Sequence, residues 1–421
     1  MVLNLRFKIH LMKSRQMNGG IEFSDLLNLA EKHGTPLYVY SSSIIEDNYK
    51  TLRAAFGSEG VHIMYACKAL SNTVVLQFLK NLGCGLDAVS LEEVKLGLMA
   101  GFRGRDIVFT PSMVGGADYD KAVAYGLRIN LGDLQALEYM GKNHPDYPVC
   151  IRLNPHVYAG GHEKISVGHE HSKFGISILQ MDEVMDFVER YKIRVDGVHM
   201  HAGSDIQKDE QYMEAIGVVF DQAKYFPELE YVDIGSGFKI PYRSSDSSSN
   251  LETIAAFVKE KLQMISGQLD RKIELLMEPG KFLVSNAGYF MVESMVIKNA
   301  PGKTFVGVNS GFNHLMRPML YDAWHDVINL SNPNGEQKQY DIVGYICETD
   351  TFAADRNVPE IRVGDYLAFK NAGAYGFNMA SNYNSKLRPA EVLVHEGKDY
   401  LIRRRETFED LISTQVLTDV F

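Results

Sequence analysis

"IMYACKALSNTVVLQFLKNL", residues 63–82, decides the fold. A short β-rich apolar run reaches a lysine, turns through Ser71 and Asn72, and enters a segment with apolar residues every three or four positions. Buried strand, polar turn and amphipathic helix together make the unit of a parallel sheet covered by helices. Lysine is among the residues least often buried. Lys68 at this strand end is therefore either a snorkelling surface side chain or a working amine.

The unit recurs along the chain. The β-rich runs "IMYACK", "CGLDAV", "DIVFT", "LRINLG", "VCIRLNP", "VDGVHMH", "YVDIGSG" and "ELLMEPG" lie within residues 60–280, with amphipathic segments between most of them. Eight such units predict a closed (β/α)8 TIM-like barrel; an open doubly wound sheet is the alternative. A barrel gathers its chemistry where the C-terminal strand ends meet. Those ends carry Lys68, Asp87, Arg152 with Asn154, His199 with His201, Gly235 to Gly237, and Glu278.

After residue 285 the runs stay β-rich with no long helices between them, which predicts a C-terminal β domain, a β-sandwich or β-barrel. The expected division is a leader over 1–34, a barrel over 35–285 and the β domain over 286–421. Residues 36–41, "PLYVYS", can also join the β sheet, which would give the β domain an N-terminal contribution.

Composition excludes several classes. A chain of 421 residues, 45% hydrophobic and 23% charged, is an ordinary soluble globular protein rather than a disordered one. Its net charge of −10, with no basic run, argues against a nucleic-acid partner. Cys67, Cys84, Cys150 and Cys347 form no C-x-x-C pair, which fits a reducing cytoplasm and argues against a zinc site. Arg6, Lys8 and His10 interrupt the N-terminal apolar residues, so that stretch is neither a signal-peptide core nor a membrane span and reads as a mobile leader.

Several short motifs carry chemistry. "DIGSGF" (233–238) puts two glycines after the seventh run, where backbone amides can approach a phosphate; a tight barrel turn explains it equally well when read alone. It lacks the third glycine and the following helix of a dinucleotide fingerprint. "EPGKF" (278–282) ends the eighth run with a carboxylate suited to act as a base, a metal ligand or a partner for a protonated ring nitrogen. Alone, it also reads as a turn with an exposed glutamate.

"GVHMHAGSDI" (197–206) sets His199 and His201 on one face of a strand, for a metal, for stacking on a planar cofactor, or for core hydrogen bonding. No further histidine or cysteine supports a metal there. The stretch 160–175, with His162, His169 and His171, reads as a mobile loop and a candidate lid. Arg317 and Tyr321 in "MRPMLYDAWH" suit a carboxylate. Cys347 and Glu348 follow a β-rich run, and Tyr375 sits in the glycine-flanked "NAGAYGF".

In this order, "YACKALSN", "HMHAGSDI", "DIGSGF", "MEPGKFLVSNAG", "MRPMLYDAWH", "CETDTF" and "AGAYGFNMASNYNSKLRPAEVL" resemble the diaminopimelate decarboxylase family. These are alanine-racemase-like, fold-type III decarboxylases dependent on pyridoxal 5'-phosphate (PLP). The resemblance runs from about residue 35 to 415. It implies that Lys68 holds PLP as a Schiff base, and that His201 stacks on its ring while Glu278 pairs with the ring nitrogen. Asp87, Ser204, Gly235, Ser236, Gly237, Pro279, Gly280, Lys281 and Tyr375 complete the implied cofactor site.

The same resemblance implies that Lys281, Arg317, Tyr321, Glu348 and Tyr375 bind substrate, and that Cys347 protonates the carbanion from the partner subunit of a homodimer. The implied reaction converts meso-2,6-diaminopimelate to L-lysine and CO2, the last step of lysine biosynthesis, in the cytoplasm. Alternatives are a related decarboxylase of ornithine, arginine or carboxynorspermidine, and a non-catalytic PLP-binding regulatory homologue. Two motifs depart from the family: Lys281 stands for its arginine after E-P-G, keeping the charge without the bidentate fork, and "CETDT" stands for "CESGD".

Overall fold

The computed structural model describes residues 20–160, 167–243 and 245–418. The chain divides into two compact units, one formed by 48–283 and the other by the flanking segments.

The first unit is a closed barrel. Its strands are β1 (Val61–Ala66), β2 (Gly85–Ala88), β3 (Ile107–Phe109), β4 (Arg128–Leu131), β5 (Val149–Asn154), β6 (Val195–His199), β7 (Tyr231–Asp233) and β8 (Glu274–Met277). Each pairs in parallel with the next, and β8 pairs with β1. All eight runs read from the sequence are strands, and closure rules out the open sheet. Met64, Val108, Cys150 and Tyr231, from alternate strands, pack with Leu276 in one buried cluster, the layered filling that a small barrel requires.

Local chemistry sets the helix starts. Asn72 caps the helix Thr73–Leu82 by accepting the Val74 amide, and Ser90 and Asp133 cap Leu91–Met99 and Leu134–Asn143 likewise. Such caps stabilise a helix by about 1 kcal/mol each. They also fix where each strand-end loop stops, and hence where its side chains point. After β7 the chain runs irregularly until the helix Leu251–Leu269, so the glycine turn opens no helix, as its sequence predicts.

The second unit is built on a nine-stranded mixed sheet. Its strand Leu37–Ser41 lies between Gly288–Ala300, antiparallel, and Ala390–His395, parallel. The barrel unit therefore begins at Asn48 rather than at residue 35, because residues 37–41 satisfy their backbone groups in the other sheet. Leu37, Val39, Tyr289, Met291, Ala368 and Val392 bury one face of that sheet against the helix Phe23–His33.

Candidate active site

β1 ends at Ala66, and Cys67–Ala69 make a single 3-10 turn that carries Lys68 just past the strand. Cys67 is buried in packing, whereas the Lys68 side chain is 34% exposed and donates from Nζ to Asp87 Oδ2 at 2.8 Å. Asp87 sits on β2 in register with Ala66 and is buried. Burial pushes its carboxyl up, the Glu278 charge adds to this, and the Lys68 ammonium opposes both. Lys68 is thus anchored to a buried acid at the barrel mouth, which snorkelling does not explain.

Glu278, just past β8, is buried and receives His199 Nε2 at 3.1 Å. Burial alone would raise its carboxyl; the charge and hydrogen bond of His199, with the Lys68 ammonium, win and hold it down to about 2. Of the buried carboxyls at the mouth, Glu278 is the one whose surroundings favour the carboxylate form. Because it can only accept, His199 Nε2 carries the proton between them.

β6 ends at His199, so the two histidines do not share one strand; His201 lies in the loop beyond. Its Nδ1 accepts the Ser236 amide at 3.3 Å. Burial, with the cations Lys68 and Arg152, pushes its pKa down to about 3, leaving a neutral ring suited to stacking. Arg152 is buried with its guanidinium 4.9 Å from the centre of the Phe174 ring, and it feels Glu278, Asp87 and Asp233.

The turn after β7 is held tightly. Gly235 takes φ 59°, and a Cβ there would fall 2.4 Å from the Met200 carbonyl oxygen; one at Gly237 would fall 2.4 Å from Ile206 Cδ1. Only glycine keeps this turn closed while its amides remain within reach of a ligand. Glu278 N donates to Gly235 O at 2.7 Å, and Ala66 N to Pro279 O at 3.4 Å, which lace the turn, the Glu278-Pro279-Gly280 segment and the Lys68 strand together. Ser236 is buried in the turn and Ser204 half-buried in the bend after His201. Lys281 is buried, ion-paired with Asp205 and 4.9 Å from the centre of the Tyr242 ring.

These residues fit pyridoxal phosphate. An amine stands at the mouth, the glycine turn offers backbone amides suited to a phosphate, and a neutral imidazole and an anionic carboxylate suit the face and the protonated nitrogen of a pyridine ring. The buried oxygen Asp87 Oδ1 has no hydrogen-bond donor among the described residues.

The remaining sequence candidates belong to the β unit. Arg317 is buried at the start of the short helix Arg317–Tyr321, and its Nη1 donates to His325 Nε2 at 3.2 Å. His325 in turn gives Nδ1–H to the Lys370 carbonyl at 2.8 Å, which fixes the tautomer. Tyr321 is half-buried. Cys347 and Glu348 are exposed; Asn384 Nδ2 lies 3.2 Å from Cys347 Sγ, and Tyr383 donates to Glu348 at 2.5 Å. Asp350 accepts the Phe312 and Ile346 amides, so this departure from the family motif staples the Cys347 loop. Tyr375 takes φ 55°, a strained setting for a bulky residue.

Asp233, Asp205 and His325 carry no sequence signal of their own, because each matters through a side chain that only the fold brings to it: Glu278, Lys281 and Arg317. His169 contributes a carbonyl to Asn154, and His171 is exposed. His162 lies outside the described residues, and with it much of the lid reading.

A barrel with this lysine, turn and carboxylate fits the pyridoxal-binding domain of a pyridoxal-dependent decarboxylase. The family model for the pyridoxal-binding domain of those enzymes matches residues 42–285. Within that class the chain belongs to the diaminopimelate decarboxylase family. It is 38% identical to the diaminopimelate decarboxylase of Methanothermobacter thermautotrophicus, over 93% of this chain and 94% of that one. It resembles the crystal structure of diaminopimelate decarboxylase from M. jannaschii in co-complex with L-lysine, with a TM-score of 0.86, 30% identity, and coverage of 93% and 94%. A lysine/ornithine decarboxylase from Vibrio vulnificus shares the fold at 24% identity and a TM-score of 0.77, covering 89% of this chain and 98% of that one.

Proposed function

We infer that the chain converts meso-2,6-diaminopimelate to L-lysine and CO2 with pyridoxal 5'-phosphate, a carboxy-lyase reaction of lysine biosynthesis. One observation carries this reading: Lys68, the glycine turn and Glu278 meet at one barrel mouth in a chain similar to that family over 93% of its length.

When bound, the cofactor supplies a sink for the electron pair left as CO2 departs. Lys68 anchors it through Nζ, and the amides of Gly235, Ser236 and Gly237, with Tyr375, receive its phosphate. Ser204, Pro279 and Gly280 line its surroundings, and Asp87 orients the Lys68 amine. His201 covers the ring face, while Glu278 keeps the ring nitrogen protonated. Arg317, Tyr321 and Glu348 bind the distal amino-acid end of the substrate, since a second ammonium and carboxylate call for charges of both signs. Lys281 adds a point charge held by Asp205. Cys347 delivers a proton from Sγ to the substrate carbon after CO2 leaves.

We assign cofactor binding to the barrel and the substrate-end and acid groups to the β unit, in a cytoplasmic homodimer whose partner subunit supplies Cys347. No helix among the described residues is long and apolar enough to cross a membrane. Incubation with pyridoxal phosphate and meso-diaminopimelate should release CO2 and lysine in equal amounts. Faster turnover of ornithine or carboxynorspermidine would overturn the substrate assignment.

A further inference from the structure

Beneath the barrel mouth, Asp233 at the end of β7 and His199 at the end of β6 flank Glu278. One polar atom of each lies within 4.8 Å of the other two, and all three side chains are buried. Asp233 and Glu278 are close enough to share a side-chain hydrogen bond. Two ionised carboxylates cannot make one, since both only accept, and like charges this close in a buried site do not both persist.

The unpaired atoms say where a proton is missing. Asp233 Oδ2 and Glu278 Oε1 have no donor among the described residues. The other oxygen of each is served: His199 Nε2 lies 3.1 Å from Glu278 Oε2, and the Gly235 amide donates to Asp233 Oδ1 at 2.8 Å. A proton on Asp233 Oδ2, given to Glu278 Oε1, satisfies both orphan oxygens together.

We propose that Asp233 is a neutral carboxylic acid and a positioning residue, donating to Glu278 through one oxygen while holding the Gly235 amide with the other. One buried acid then fixes both the carboxylate that faces the cofactor's ring nitrogen and the turn that receives its phosphate. The cofactor half of this proposal rests on the reading of the barrel mouth as a pyridoxal phosphate site; the proton half does not.

The electrostatics sort the proton the same way. Burial, reinforced by the Glu278 charge, pushes Asp233 well above the usual carboxylate range, while the nearby cations hold Glu278 down. Asp87, Arg152, Cys150, Tyr212 and Tyr231 also lie within electrostatic reach of Asp233, and of these only Arg152 is a cation.

Two variants separate shape from charge. D233N keeps an acceptor for Gly235 and offers an amide hydrogen to Glu278, whereas D233L offers neither. Infrared difference spectra of the cofactor-free native protein and D233N should show a protonated-carboxyl carbonyl band that the substitution removes. In cofactor titrations followed by absorbance, D233N should bind pyridoxal phosphate within about threefold of the native affinity, and D233L should bind about tenfold or more weakly, the usual cost of losing an outer-shell partner.

Absence of the infrared band overturns the proton assignment. D233N binding as poorly as D233L overturns the positioning role, as does D233L binding like the native protein. A stoichiometric divalent cation in the purified protein, lost in D233N, would replace the shared proton with a metal. If the band is present but no form of the protein, native included, binds the cofactor, the site reading fails while the carboxyl pair stands.

Discussion

The barrel mouth and the Cys347 loop are opposite solutions to placing a reactive group. In the barrel, Lys68 meets Asp87, His199 meets Glu278, and Arg152 lies among three buried acids. In the β unit, Cys347 and Glu348 are exposed and held by single contacts from Asn384 and Tyr383. A prearranged field in a dry site costs no reorganisation when charge develops, so the barrel's charges are set before any ligand arrives. The donor role proposed for Cys347 requires meeting a substrate carbon that holds a free electron pair only after CO2 leaves, which suits an exposed thiol on a stapled loop.

That contrast breaks most sharply at Lys68. K68A should lower turnover by about 10^4-fold, because the covalent anchor and its orientation go together; steady-state assays at saturating cofactor read this directly. Near-native turnover would remove the barrel mouth from the chemistry. E278Q comes next, with kcat falling about a hundredfold, the low end expected for a group that stabilises developing charge, and with the absorbance of the bound cofactor altered. A change in KM alone would mean that Glu278 is only a structural acid.

Two smaller effects probe the β unit. His314 is buried, Ser310 Oγ lies 3.0 Å from its Nδ1, and burial pushes its pKa down to about 4. The unfolded chain protonates this histidine near pH 6.5 and the folded chain only near 4, so stability is lost as pH falls through that window. Between pH 7 and pH 5 the loss from this group is about 2 kcal/mol, and H314Q should lack it when urea midpoints are compared at the two pH values. Equal acid sensitivity in both proteins would contradict the assignment. R317K should raise KM about tenfold with kcat little changed, since lysine loses the guanidinium fork; a fall in kcat alone would place Arg317 in the chemical step instead.

Much of this was legible in the sequence because barrel strands punctuate the chain with periodic apolar runs. "YVDIGSG" and "ELLMEPG" announce both their strands and the polar groups that follow them. What the sequence hid was pairing across the fold. Asp233 reads as an ordinary strand-end acid, and nothing in its neighbours reveals that Glu278, 45 positions on, needs a proton from it. Asp205 is equally silent about Lys281, and His325 about the Arg317 guanidinium eight residues earlier. Residues 37–41 join the β sheet, as "PLYVYS" allows, but order along the chain also sets them beside the barrel, and only their hydrogen bonds to segments some 250 and 350 residues away decide between the two.

The most direct test of the central claim is to reduce the cofactor-loaded protein with borohydride and map the modified peptide by mass spectrometry. The account predicts one phosphopyridoxyl group per chain, on Lys68, with none in K68A. Modification of another lysine, or an adduct of the same yield in K68A, would contradict it.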